Sequence, residues 1–127
     1  MSLRKTSWAR LFGSTPARFR FAWHRSYVGC EVSPHTDSSD KLGTFVFFFN
    51  SAQDWHYSYG GATLLLGGLP AGKTCPDFSD FETEIQAHPL DFQCLVFKKT
   101  ETSWHGVKPL ICPEGYHRKT FHVIAEA

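Results

Sequence analysis

The first thirty residues contain no acid. Arg4, Lys5, Arg10, Arg18, Arg20 and Arg25 all fall there, and the first carboxylate is Glu31. Over the whole chain the charges nearly cancel, to a formal +1. The molecule therefore lacks the strong field that would hold nucleic acid or an anionic membrane surface, and neither is expected as a partner. No apolar run is long enough for a signal-peptide core or a membrane span. Cys30, Cys75, Cys94 and Cys112 form no Cys-x-x-Cys pair, which argues against a structural zinc site. Nothing marks the chain as secreted, so the thiols are expected to be reduced and the setting cytoplasmic. Cys94, inside an apolar run, is expected to be buried. A convincing amphipathic helix is also missing, with residues 3–12 the one candidate. An acid-free, Ser-containing start is compatible with a transit peptide or a nucleic-acid patch. The plainer reading is a solvated basic arm, residues 1–17, followed by a single domain, residues 18–127.

What the chain has in excess is aromatic residues. They make up 16% of 127 residues, twelve of them Phe, and aromatics favour strands. Residues 18–24 alternate strictly and put Phe19, Phe21 and Trp23 on one face. Residues 27–33 form a second strand, ended by Pro34. Residues 44–49 are a continuous β-prone run, read as buried on both faces. Further strands are expected at 62–66, 84–88, 92–97, 103–110 and 118–125, with a long Gly-, Pro- and Asp-rich loop over 67–82. About eight short strands with little helix predict an all-β sandwich or barrel. Eight fit a double-sheet jelly roll, the cupin architecture. At this length roughly two-thirds of the unfolded chain's surface can be buried, which is enough for one core.

His35-Thr36-Asp37, then Ser103-Trp104-His105-Gly106-Val107, then Arg118 carry the chemistry. Two histidines and one carboxylate are the donor set that holds non-haem Fe(II) on one face and leaves other positions open. In extended chain the side chains of His35 and Asp37 point to the same side, so both can reach one ion. Pro34 stiffens the approach. The third donor must come from a distant strand, and His105 is the best candidate, with Gly106 leaving room beside it. Arg118 supplies a positive charge where a dicarboxylate co-substrate would need one. A plainer alternative leaves His35 and Asp37 on a polar loop and His105 as a satisfied core histidine. His24, His56, His88 and His117 fall at strand ends or loops and are read as solvated. His122 shares a strand face with Arg118 and Thr120 and is assigned to the interior. Residues 38–43 and 51–60, with Trp55, His56, Tyr57 and Tyr59, either select substrate or form an apolar lid over the core, and Trp104 carries the same two readings.

Residues 27–37, 45–50, 60–64, 95–97, 103–109 and 118–121, in this order and spacing, resemble the prolyl-4-hydroxylase-like branch of the 2-oxoglutarate/Fe(II)-dependent oxygenases. The resemblance runs from about residue 19 to 125. It implies a double-stranded β-helix, the jelly roll reached above. It implies iron ligation by His35, Asp37 and His105 and a hydroxylase (dioxygenase) that uses 2-oxoglutarate and O2 and releases succinate and CO2. It implies that Arg118 pairs with the far carboxylate of 2-oxoglutarate and that Thr120 adds a hydroxyl to it. Tyr27 stands eight residues before the first ligand, where many relatives have a co-substrate tyrosine at nine or ten. The expected substrate is a peptide or protein side chain or a small molecule. The competing reading is a non-catalytic cupin-like metal- or ligand-binding module. Arg118 discriminates between the two, because a binder needs no buried cation beside the metal.

Overall fold

The structure, a computed structural model, describes residues 17–127. The expected arm at 1–17, apart from its last residue, and the helix candidate at 3–12 lie outside the described residues. The rest is nearly all β: β1 Arg18–Ser26, β2 Val32–His35, β3 Lys41–Phe48, β4 Thr63–Gly67, β5 Thr83–Ala87, β6 Cys94–Lys98, β7 His105–Val107 and β8 Arg118–Glu126. Among the described residues, helical structure is confined to short 3₁₀ turns at Tyr57–Tyr59 and Phe78–Asp80. None is long and apolar enough to cross a membrane.

The strands form two antiparallel four-stranded sheets, ordered β1-β8-β3-β6 and β2-β7-β4-β5. This interleaving is a jelly roll, the double-stranded β-helix expected from the strand count. The register of each pair is long and regular where side chains alternate cleanly. β1 pairs with β8 from Arg18↔Glu126 to Ser26↔Arg118 without a break. β2 sits at a sheet edge, which is why Pro34 is tolerated within it: a proline has no N–H to give a ladder. The shift in β2–β7 register between Val32 and His35 falls around that proline.

Two sequence expectations change here. The run at 44–49 is not buried on both faces. Val46 and Phe48 face inward at 3% and 1% exposure, whereas Phe45 and Phe47 are half-buried and Phe49 is exposed. The β1-β8-β3-β6 sheet thus has an apolar outer surface as well as an inner one. Cys94 lies on that outer surface and is exposed, and Cys112 is the buried thiol.

One end of the sandwich is closed by a cluster of Trp55, Leu90, Val107, Leu110 and Cys112, with Tyr59 packed against it. The Trp55 indole donates to the Gly60 carbonyl at 3.0 Å, so its one polar atom is satisfied inside the core. Within the loop 51–60, Trp55 and Tyr59 are therefore core packing, Tyr57 is 55% exposed, and Trp55 does not line the interior cavity. Truncating Trp55 to Ala would cost about 3–5 kcal/mol.

Candidate metal centre

β2 and β7 pair so that His35 stands directly opposite His105. Cross-strand partners project on the same sheet face, and the two imidazole centroids lie 4.3 Å apart. Each ring is aimed by its own strand. His35 Nδ1 donates to the Ser33 carbonyl at 2.9 Å, and His105 Nδ1 donates to the Ser103 carbonyl at 2.8 Å. A carbonyl only accepts, so both Nδ1 atoms carry hydrogen and both Nε2 atoms are left for a ligand. Gly106 makes this pairing possible: a Cβ there would come within 2.6 Å of the Val32 carbonyl oxygen.

Asp37 completes the set by a route the alternation argument does not contain. β2 ends at His35, and Asp37 adopts a left-handed backbone with φ of 70°. Asp tolerates that region better than most residues. The turn folds the carboxylate back over the two rings, with Oδ1 3.0 Å from His35 Nε2 and 3.5 Å from His105 Nε2. His35, Asp37 and His105 are the metal-competent group of donors among the described residues, with their ligand atoms within 4.8 Å of one another.

The electrostatics match. Burial pushes the Asp37 carboxyl up, but hydrogen bonds from His105 and His35 and the charge of Lys41 outweigh it and hold the group far below the usual carboxylate range. His35 is raised, chiefly by its bond to Asp37, against the opposing effect of burial. A divalent cation bound by these donors would take the place of protons on the Nε2 atoms.

Behind the triad lies a cavity of about 390 Å³, of a size that takes a small ligand. Arg118 lines it from the start of β8 at 5% exposure. Its Nε donates to the Gly61 carbonyl at 2.7 Å, and Nη2 to the Thr63 hydroxyl at 3.1 Å. Its guanidinium carbon stands 5.7 Å from the centre of the Phe48 ring. No carboxylate of the described residues pairs with it. Burial lowers its pKa to about 10, so it stays charged at neutral pH. Asn50, fully buried, clamps the backbone on either side of Arg118: it donates to the His117 carbonyl and accepts from the Lys119 N–H.

The remaining sequence candidates are placed as follows. Thr120 is fully buried, and its hydroxyl meets His122 Nε2 at 3.2 Å, whereas the hydroxyl on Arg118 comes from Thr63. Tyr27 lies in the β1–β2 turn, 53% exposed, with its ring edge against His117 and outside the cavity lining. His122 lines the cavity and is stacked on His24 at 4.2 Å. His24 is exposed, as expected from the sequence, and also lines the cavity. It lies within β1 on the inward-facing phase, opposite to Phe21 and Trp23. Burial, with help from neighbouring positive charge, depresses both rings, that of His122 to about 4. Thr63 and His24 were missed because each is an ordinary polar residue in its strand. The signal that would find them is strand phase, once the inner face is known.

Comparisons with known proteins agree with this fold. No family model matches the chain, and no curated protein does. Among solved structures, the chain is similar to the crystal structure of a Pseudomonas putida prolyl-4-hydroxylase, with a TM-score of 0.68 at 20% identity. The match covers 98% of this chain and 60% of that one, so the chain spans less than two-thirds of that protein's length. At this identity the likeness establishes the architecture, a jelly roll shared with a hydroxylase, which carries a candidate His-Asp-His metal centre here.

Proposed function

We propose that this chain is an Fe(II)- and 2-oxoglutarate-dependent oxygenase that hydroxylates a C–H bond of a peptide or protein side chain or of a small molecule. The observation that carries the proposal is the pairing of the triad with a buried arginine lacking a counter-ion in one cavity. Burying a lone cation is costly, and an anionic ligand is what would offset it. Two imidazoles and one carboxylate suit ferrous iron and leave coordination positions open. Iron and 2-oxoglutarate, when bound, supply the oxidising chemistry, using O2 and releasing succinate and CO2.

The chain's own residues bind, orient and exclude water. His35, Asp37 and His105 would hold the metal, with the Ser33 and Ser103 carbonyls fixing both rings. Arg118 would hold the far carboxylate of 2-oxoglutarate through its remaining Nη1 edge, with Thr63 beside it. Val46, Phe97, Val107 and Ile124 give the cavity apolar walls that keep water from the reacting centre. The likeness to a prolyl-4-hydroxylase supports the same reading.

The test is succinate release from 2-oxoglutarate with Fe(II), with and without a substrate panel, in wild type, His35→Ala and Arg118→Ala. Both substitutions should reduce turnover by at least ~100-fold. Unchanged turnover in both would remove the assignment. A non-catalytic module would bind the metal and release no succinate with any substrate.

A further inference from the structure

We propose that the substrate of this site carries a carboxylate and that Lys41 receives it. This rests on the oxygenase reading above and deepens it.

Lys41 opens β3, four residues after Asp37, across a turn closed by its N–H bonding the Ser38 carbonyl at 3.1 Å. Its ammonium lies 3.7 Å from Asp37 Oδ1, the same oxygen that both histidine Nε2 atoms approach. The cation therefore stands beside the point where the three donors converge. A second, open cleft lies outside the sandwich, bounded by Thr36, Thr74 and Trp104. His35, Asp37 and Lys41 line both this cleft and the interior cavity, so the donors form the junction between them. Arg118 lines the interior and not the cleft. Two cations thus flank the centre, one deep and one at the opening.

The acids near Lys41 are engaged elsewhere. Glu126 is bound by Arg20 at 2.8 Å. Asp40, fully exposed, takes the Ser38 hydroxyl and feels both Lys41 and Arg20 at a distance. Asp37 is the one acid in direct contact with Lys41, and a bound dication would claim its charge. The Lys41 ammonium would then stand beside a second positive charge held by the three donors, and the two would repel until an anion entered from the cleft. The co-substrate's far carboxylate is already allotted to Arg118. The anion left to Lys41 is one borne by the substrate, a free acid or an acidic side chain, with a neighbouring C–H turned to the metal.

The experiment uses the full chain loaded with Mn(II) and saturated with 2-oxoglutarate, both uptakes being measured first by calorimetry. The probes are N-acetylglycine and N-acetylglycinamide, which differ in one carboxylate. The readout is paramagnetic relaxation of their acetyl methyl protons, which reports approach to the metal and not turnover. In wild type and Lys41→Arg the acid should relax at least ~10-fold more than the amide, and in Lys41→Met the difference should vanish. Equal relaxation of acid and amide in wild type, strong or absent, overturns the inference and leaves the oxygenase reading standing. So does a difference that survives in Lys41→Met, or a Lys41→Met variant that loses 2-oxoglutarate instead. Failure of wild type to take up Mn(II) or 2-oxoglutarate sinks the oxygenase reading, and this inference with it.

Discussion

The two faces of the β1-β8-β3-β6 sheet differ less than those of an ordinary sandwich, the inner one mixing polar with apolar residues and the outer one being largely aromatic. The inner face carries Arg20, His24, Thr44, Arg118 and His122 around the cavity. The outer face carries Phe21 and Trp23, 64% and 69% exposed, with Phe47, Phe49 and Phe121 between them. Trp23 lies 4.7 Å from the Phe121 ring and 5.1 Å from that of Phe49. Ordinary sandwiches alternate apolar-in with polar-out. Here the inner face mixes those polar groups with buried Val46, Phe48 and Ile124, and a separate apolar cluster packs around Trp55 and Leu110. The contrast shows where this sheet gives up stability for chemistry: on the face whose charged and polar groups look into a cavity.

Four measurements would break or sharpen this comparison, beginning with the largest effect. Arg118→Met should abolish 2-oxoglutarate binding by ~100-fold or more in calorimetry. Denaturant unfolding should show stability equal to wild type or about 1 kcal/mol higher, because the buried charge is gone. A large loss of stability would make Arg118 a structural residue and erase the contrast between faces. Next, Gly106→Ala should force β2 away from β7, since its Cβ would meet the Val32 carbonyl at 2.6 Å. Separating the His35–His105 pair should weaken divalent-metal affinity at least ~10-fold and cost about 1–3 kcal/mol. Unchanged metal affinity would show that the cross-strand register does not set the site.

The third tests the neutral character of the inner face through pH. Burial depresses His122 to about 4 when folded, from its ordinary value of 6.5. Between those values the unfolded chain binds the extra proton, so stability should be fully present above the unfolded value and fall as pH drops from about 6.5 toward 4. In urea titrations of the metal-free protein, wild type should lose on the order of 2 kcal/mol more than His122→Gln over this window. Parallel curves would show that the ring is solvated. The smallest effect belongs to the outer face. Trp23→Ser should cost only about 0.5–1.5 kcal/mol, the worth of its aromatic contacts, against 3–5 for Trp55→Ala. Equal costs would mean that Trp23 is covered in solution.

Much of the fold could be read in advance because its signal is local. The alternation at 18–24, the short apolar run between glycine pairs at 62–66 and the apolar run at 92–97 correspond to β1, β4 and β6 within a few residues. His35, Asp37 and His105, nominated from residue type and order, stand within one ligand-sized space. The errors have physical causes. The alternation of β1 marks two faces but carries no sign, so it did not show that His24, exposed as expected, lies on the face that lines the cavity. Asp37 reaches the histidines through a left-handed turn, because β2 ends two residues earlier. In the aromatic loop 51–60, Trp55 and Tyr59 pack into the core while His56 and Tyr57 are exposed, a division that polarity alone did not mark. Cys94, inside an apolar run, lies on the outward phase of β6 and is exposed.

The amino-acid order by itself determined the strands, their turns and the kinds of side chain available for chemistry, since each depends on neighbours a few residues apart. Tertiary structure alone decided which face of each strand is inward and that His35 stands opposite His105 seventy residues later. It also decided that Arg118 shares their cavity and that Lys41 joins that cavity to the cleft outside. Those outcomes depend on the register of distant strands, which is set by how two whole sheets close on each other and leaves no mark in any short window of residues.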